Sequence, residues 1–354
     1  MIQYTRAVLL VLGSLLCPVQ AQDILGIDFG SGAMFRIDSA SGIAVQVGDL
    51  APSGLWTAMA KDSQGRIFVA NGGFGALYKI YEVDTSTWQA IFVAQTNLNA
   101  ISGLAFGPGD VLYASHDTAY PQTRGPDDLY TIDLVTGQTT RIGATGMNSI
   151  STLAYGQGSL WAYNIYEDGL VRIDPATGLA MDVNILVNDG FLGLCQSICF
   201  SDNEVLFGGY WGLSILDPAS GVPSFIGDLA PQYPLIDGVE FLPNQPAPFA
   251  LWVQGVTGGP MTIQVAGASP NAHVGFLGAL GPGGPRTVPA GQPCGGLQID
   301  LNVGAQFLGL VRADAQGRAS LGPAIVPASA QDRARLQAVD LTACATTNVA
   351  QVLY

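Results

Sequence analysis

The chain has only two histidines, His116 and His273. His116 sits in the most polar stretch, SHDTAYPQTRGPDD, running from Ser115 to Asp128, where a histidine, an adjacent aspartate and a cation could share acid–base work. In that reading His116 is the acid or base, Asp117 orients it and Arg124 holds an anion. The competing reading is a solvated loop with a histidine at its root. Neighbours in sequence point apart on a strand, so the His116–Asp117 step lacks the geometry of a catalytic triad. Glycoside hydrolysis would need two carboxyls about 5 to 9 Å apart across a pocket. Asp117, Asp127, Asp128, Glu167, Asp168 and Asp237 are the candidates, and spacing selects no pair among them. There is no G-x-S-x-G elbow, phosphate-binding loop, H-E-x-x-H or EF-hand loop, so no catalytic residue is assigned and neither a metal nor another cofactor is expected.

A repeat must position these residues. MFRIDSASG recurs as IYEVDTSTW, LYTIDLVTG, LVRIDPATG and LSILDPASG, with Asp38, Asp84, Asp133, Asp174 and Asp217 spaced 46, 49, 41 and 43 residues apart. A drifting period of that length belongs to propeller blades. A second phrase runs in step: LWTAMAK from Leu55, ISGLAFG from Ile101, ISTLAYG from Ile150, CQSICFS from Cys195 and IDGVEFL from Ile236. Between the two lies a third apolar run, RIFVAN, VLYASH, LWAYN or VLFGG. Each period predicts four short strands, and no ten-residue segment before residue 245 has helical periodicity. In IDPATG the aspartate can accept from turn amides, Pro175 presets φ and the glycine takes the left-handed conformation, which predicts a hairpin between the two outer strands. That role is sufficient for the repeated aspartates.

The final inner strand, IDGVEFLP, has no three strands after it, whereas ILGIDFGSG, AMFRIDSASG and IAVQVGDL begin the chain with no inner strand before them. The expected fold is therefore all-β, a five-bladed β-propeller over residues 22–245 closed by one strand plus three, with no open edge between first and last blades. Loops joining strand two to three and strand four to one share a face. Phe74, Tyr120, Tyr163, Asn164, Tyr166, Glu167, Asp168, Tyr210, Trp211 and Tyr233 fall there, with Trp56 near the mouth of an inner strand. Rings beside carboxylates and amides suit sugar or peptide recognition, although strand-end aromatics also pack blades. The candidate ligand-binding set is Trp56, His116, Asp117, Arg124, Tyr163, Tyr166, Asp168 and Trp211.

After the proline-rich PNQPAPF, read as a short stiff linker, residues 246–354 alternate through about eight strands joined by Gly-rich turns, which predicts a small β-sandwich. On its L-x-x-I-D-x-x-T-G hairpins, the first unit resembles bacterial secreted propellers, mostly without assigned function. The second, with CGGLQIDL, LGLVRADAQGRASLGPAIVP and TNVAQVLY, resembles the C-terminal β-module of exported bacterial proteins. It is expected to serve docking, spacing or surface retention.

The chain opens MIQYTRAVLLVLGSLLCPVQAQD, with Arg6, an apolar run and Val19-Gln20-Ala21, so residues 1–21 read as a secretory signal peptide cut after Ala21. Cys17 follows Leu16, where a lipoprotein signal needs a small residue, which disfavours lipidation. In an oxidising compartment Cys294 and Cys344 form the natural bridge. Cys195 and Cys199 stand about 13 Å apart if extended, so either the chain turns between them or both are buried thiols. The whole sequence has 13 basic and 27 acidic residues. The excess lies in residues 22–245, so nucleic acid is excluded as a partner. The reading is a monomeric, secreted or cell-surface, non-enzymatic binding or scaffold protein for a glycan or an extracellular protein. The alternative is a polysaccharide hydrolase or lyase using His116 and nearby carboxylates.

Overall fold

The computed structural model describes residues 23–52, 54–73, 75–117, 125–165, 169–183, 195–229, 235–243, 247–255, 259–281, 284–325, 328–330 and 333–352; the expected signal peptide lies outside them. The chain begins with β1 (Asp23–Asp28), β2 (Ala33–Asp38) and β3 (Ala44–Asp49). Next come β4 (Leu55–Lys61), β5 (Ile67–Gly72), β6 (Lys79–Asp84) and β7 (Gln89–Gln95), then β8 (Ile101–Gly107), β9 (Val111–His116), β10 (Asp128–Ile132) and β11 (Thr139–Ala144). β12 (Ile150–Gly156), β13 (Ser159–Asn164), β14 (Gly169–Ile173) and β15 (Ala180–Asp182) precede β16 (Ser197–Phe200), β17 (Leu206–Gly209), β18 (Gly212–Leu216) and β19 (Pro223–Asp228), and β20 (Ile236–Phe241) ends the run.

Each set of four pairs antiparallel in chain order, and β20 joins the first set in the order β20-β1-β2-β3. Ile24 lies opposite Phe241 and Gly26 opposite Val239, so strands about 210 residues apart share one ladder. The inner strands β4, β8, β12, β16 and β20 pack in a closed cycle, each touching the next. This is the architecture of a β-propeller.

The ring draws tight because its inner strands carry small residues at the joints. A Cβ on Gly103 would lie 2.6 Å from the Leu153 nitrogen, and one on Gly238 would lie 2.9 Å from the Met59 Cβ. Hydrogen bonds cross every joint. The Trp56 amide donates to the Phe29 carbonyl at 3.1 Å, and Thr57 Oγ1 donates to the Ile101 carbonyl at 2.5 Å. The Ile150 amide donates to Asp127 Oδ2 at 2.7 Å, the Ile198 amide to Thr152 Oγ1 at 3.2 Å, and Ser197 Oγ to the Ile236 carbonyl at 3.2 Å. Each such bond contributes about 1 kcal/mol net, and together they fix one rotation of each sheet against the next.

The repeated aspartates sit in the hairpins between outer strands. Asp38 Oδ1 accepts from the Ala40 and Ser41 amides, and Asp133 Oδ1 accepts from those of Val135 and Thr136. Asp174 and Asp217 repeat the contact to the amide two residues on. The closing position has positive φ, at Gly42, Gly137, Gly178 and Gly221, and at Trp88 where one hairpin lacks glycine. These carboxylates are occupied by their own turns.

The rest of the chain forms β21 (Ala250–Gln254), β22 (Pro260–Ala266), β23 (His273–Leu280), β24 (Arg286–Thr287), β25 (Gln298–Ile299), β26 (Gln306–Arg312), β27 (Ala319–Ile325), β28 (Ala334–Asp340), β29 (Ala345–Thr346) and β30 (Ala350–Val352). One sheet runs β21-β22-β27; the other contains β30-β28-β23-β26. They bury a shared core that includes Leu251, Met261, Val265, Val274, Phe276 and Leu336. The Cys294–Cys344 disulfide spans 50 residues here, and a loop of that size adds about 4 kcal/mol on the chain-entropy argument. Cys195 and Cys199 are buried and not joined in a disulfide, in keeping with the alternative of buried thiols.

Residues 244–246 of the expected stiff linker lie outside the described residues. Beyond them the second unit does not stand off from the first. β30 pairs with β19 through Ser224–Val352 and Phe225–Gln351, covering the outer edge of the last propeller sheet. Ala250 and Ala266 join the core of the neighbouring propeller sheets. Burial there raises the carboxyl pKa of Asp217, whereas its counterparts Asp133 and Asp174 are held low by turn hydrogen bonds.

Gly103→Ala should cost about 1 to 3 kcal/mol, because its methyl group meets backbone that cannot swing away. Gly30→Ala, with open space at the same atom, should stay within about 0.5 kcal/mol of the parent. Urea unfolding of both variants checks this, and equal midpoints would contradict the tight ring.

Candidate functional site

Each inner strand begins with an irregularity. The partner register skips Thr57 in β4, Ser102 in β8, Ser151 in β12 and Asp237 in β20. At β16 the Gln196 amide donates to the Gly209 carbonyl, opposite the residue that Ser197 already pairs with. A bulge leaves one residue unpaired and re-aims its side chain. All five re-aimed residues, Thr57, Ser102, Ser151, Gln196 and Asp237, line one cavity of about 410 Å³ at the N-terminal ends of the inner strands. This ring went unrecognised in the sequence, although its signal is there: a polar residue at the second position of the second phrase in four repeats and at the third position in LWTAMAK.

Phe29, Leu55, Tyr78, Ile101, Ile150 and Ile165 form apolar walls, and Asn99, Asp117, Asp127 and Ser149 add polar groups. Asp127 is 1% exposed. Its Oδ2 takes the Ile150 amide, while Oδ1 is buried with no hydrogen-bond partner among the described residues. Burial holds this carboxyl up to about 7, with Asp117 and Asp128 pushing the same way against the Ile150 and Ser149 amides. Burial, helped by the charge of Asp28, also holds Asp237 up to about 7. No Lys or Arg is among the described lining residues.

Beside Asp237 stands an aromatic pair. Tyr210 and Trp211, in the turn from β17 to β18, stack at 5.0 Å with planes 25° apart. Trp211 is 48% exposed, and the Ile236 amide donates to the Tyr210 carbonyl. The Tyr210 hydroxyl is held high by burial and by the nearby Asp237 charge.

The other anticipated residues separate. Asp117 lines the cavity. His116 reaches it only through Asn99, whose Oδ1 lies 2.9 Å from His116 Nε2. The ring also stands edge-on to Tyr130, and burial lowers its pKa despite Asp128 and Asp117. Trp56 is a core residue and presents no ring at the mouth. The β4 bulge turns Thr57 to the cavity and Trp56 into the interface with the first sheet, edge-on to Tyr81 at 5.5 Å and fully buried. Tyr163 is likewise turned into a core with Leu170, Ile198 and Leu206 between neighbouring sheets. Arg124, Tyr166 and Asp168 lie outside the described residues, as do Phe74, Tyr120, Glu167 and Tyr233.

A second cavity, about 980 Å³, opens between the two C-terminal sheets. Val253, Met261, Leu280, Leu308, Leu321 and Leu336 are among its walls, and among the described residues no charged side chain lines it. It offers no acid–base group. Among the described residues no cluster of three or more His, Cys, Asp or Glu could hold a metal ion.

No protein-family model matches the chain, and no curated protein matches it. Among solved structures it is similar to a structural-genomics protein of unknown function from Bacteroides thetaiotaomicron, with 13% identity and TM-score 0.40, covering 58% of this chain and 64% of that one. TolB from Acinetobacter baumannii is similar with 14% identity and TM-score 0.42, covering 70% and 62%. A chain of a nidogen–laminin complex gives 12% identity and TM-score 0.42, covering 63% and 99%. This chain thus spans less than two thirds of the length of the first two proteins. No TM-score here reaches 0.5, so the propeller assignment rests on the strand pairing itself.

Acids held near 7 in the folded state and near 4 when unfolded keep a proton that the unfolded chain has lost, so stability falls as pH rises between those values. Asp127, Asp237 and Glu240 all act in this sense, each held up to about 7. The exposed Asp84, held down to about 2 by Ser86 and Thr87, loses its stabilising contribution only as pH falls below about 4. The melting temperature should therefore be several degrees higher at pH 5 than at pH 8, with a smaller difference in Asp127→Asn; a rise from pH 5 to pH 8 would contradict the burial of these acids.

Proposed function

We propose that the chain is an exported carbohydrate-binding protein: a five-bladed propeller with one-plus-three closure over residues 22–245, carrying a β-sandwich over 246–354. In this reading it belongs with the secreted bacterial propellers that its hairpin motif resembles. The sandwich caps the last blade and spaces the binding face from whatever surface retains the protein. A disulfide in that unit supports an oxidising, non-cytoplasmic location.

The observation that carries the binding reading is the ring of Thr57, Ser102, Ser151, Gln196 and Asp237 around a single cavity with aliphatic walls. Its volume falls within the range of about 300 to 1,000 Å³ typical of small-ligand sites. Hydroxyl, amide and carboxyl groups arranged in a circle can meet the hydroxyls of one saccharide unit from several sides. The stacked Tyr210–Trp211 pair supplies an apolar plane for an adjoining unit. A second reading, polysaccharide hydrolysis, draws support from Asp127, since a buried carboxyl still protonated near neutral pH is what a general acid requires.

Titration of the mature chain against a panel of soluble oligosaccharides tests the proposal. Trp211→Ala should weaken binding about tenfold, a loss of about 1.4 kcal/mol, while Val135→Ala on an exposed rim hairpin should leave it unchanged. Equal affinities in the two variants would remove the aromatic pair from the site. Release of reducing ends that disappears in Asp127→Asn would favour the hydrolytic reading.

A further inference from the structure

Resting on the carbohydrate reading, we infer that the ligand carries an ammonium group, and that the cavity is a site for an amino sugar with its cation against Asp127 and with Asp117 and Asp237 adding negative charge around it. The described lining holds three carboxyl groups, Asp117, Asp127 and Asp237, and no cationic side chain. Asp28 adds negative charge beside Asp237. Arg141, which follows in the same sheet as Asp128, is committed to that residue, bonding both its oxygens at 2.6 and 2.8 Å.

The unpartnered Oδ1 of Asp127 supplies the second, independent observation. The side chain is almost wholly buried, and one oxygen lacks the donor that the other has. Such an oxygen calls for an N–H or O–H from outside the fold. An ammonium brings three donors and compensates the charge at once. A neutral sugar hydroxyl could satisfy the oxygen but would leave the negative charge of the lining uncompensated.

A metal ion is the wrong cation for this arrangement. Asp117 and Asp127 flank the step from β9 to β10 whereas Asp237 comes from β20, and no metal-holding cluster exists among the described residues. A pyranose bearing an amine spans such a mouth, with the aliphatic walls Leu55, Ile101 and Ile150 against its ring face. The excess of acidic over basic residues in the chain attracts the same class of ligand at longer range.

Proton linkage follows. Facing Asp127 are Asp117 from the end of β9, Asp128 from β10, and the Ser149 and Ile150 amides from the next sheet; His116 faces Asp128 and Asp117. Facing Asp237 are Asp28 from β1 and Tyr210 from the β17–β18 turn. An ammonium binds the ionised form of these acids, so below about pH 7 it must displace protons; spermidine, whose amines stay charged, should bind more tightly as pH rises from 6 to 7, whereas a glucosamine amine loses its own proton near neutrality and offsets that gain. A neutral saccharide has no such requirement.

The test is titration of the full mature chain with a β-1,4-linked glucosamine tetramer, its fully N-acetylated counterpart, and spermidine, at low salt and at pH 6 and 7. The glucosamine tetramer should bind at least about tenfold tighter than the acetylated one at pH 6, where its amines are charged, and spermidine should bind more tightly at pH 7 than at pH 6. Asp127→Asn, or Asp237→Asn should the first variant fold poorly, should bring the two tetramers within about twofold of each other. Equal binding of the two tetramers by the parent protein would overturn the ammonium inference and leave carbohydrate recognition standing. Spermidine binding with neither tetramer bound would do the reverse. Absence of binding by all three would remove both.

Discussion

Everything in the first unit depends on the ladder between β1 and β20, which joins the two ends of the propeller segment. Without it β20 has no sheet, the cycle of inner strands is broken between β16 and β4, and the first sheet keeps an open edge. With it the inner strands are brought side by side at a common depth, tied across each joint by a hydrogen bond. The cavity is a consequence of that closure. Its lining comes from all the sheets at once, so no subset of them could form it. Asp237, the acid in the ring of bulge residues, is supplied by the closing strand itself.

One residue type meets two fates in this fold, and the local supply of donors decides between them. On the rim, Asp84 receives the Ser86 and Thr87 hydroxyls and is held down to about 2. At the inner end, Asp127 takes the Ile150 amide on Oδ2 with no hydrogen bond to Oδ1 among the described residues, is shut away from water, and is held up to about 7. The first arrangement is closed and offers nothing to a ligand. The second leaves an oxygen that the protein does not satisfy. Reactivity therefore collects away from the most repeated residues.

What could be read from the sequence follows from how local each determinant is. The rim hairpins are specified within six residues by an aspartate, small polar residues and a glycine that accepts positive φ, and they fall where the repeat puts them. The one-plus-three pairing was legible by counting strands at the two ends. The bulges were not, because skipping a residue depends on what the neighbouring strand and the next sheet present. Trp56 and Tyr163 fall on the ligand face when read as strand-end and loop residues, but Trp56 lies inside β4 beside its bulge and Tyr163 inside β13, and both rings turn into the cores between sheets. Trp211 lies in a turn outside any ladder, and it stayed exposed as its position suggested. The C-terminal unit's strands were legible, but its edge-on pairing with β19 was not, since nothing in either strand alone names its partner.

The central claim is that ligand recognition takes place at the inner ends of the sheets and leaves the repeated rim aspartates uninvolved. Hydrogen–deuterium exchange of the mature protein, with and without saturating glucosamine tetramer, tests this most directly. The account predicts added protection in peptides covering residues 99–102, 149–151 and 235–237, and none in the rim hairpins at 38–42, 133–137 and 174–178. Protection confined to the hairpins, with the inner strand ends unchanged, would contradict it.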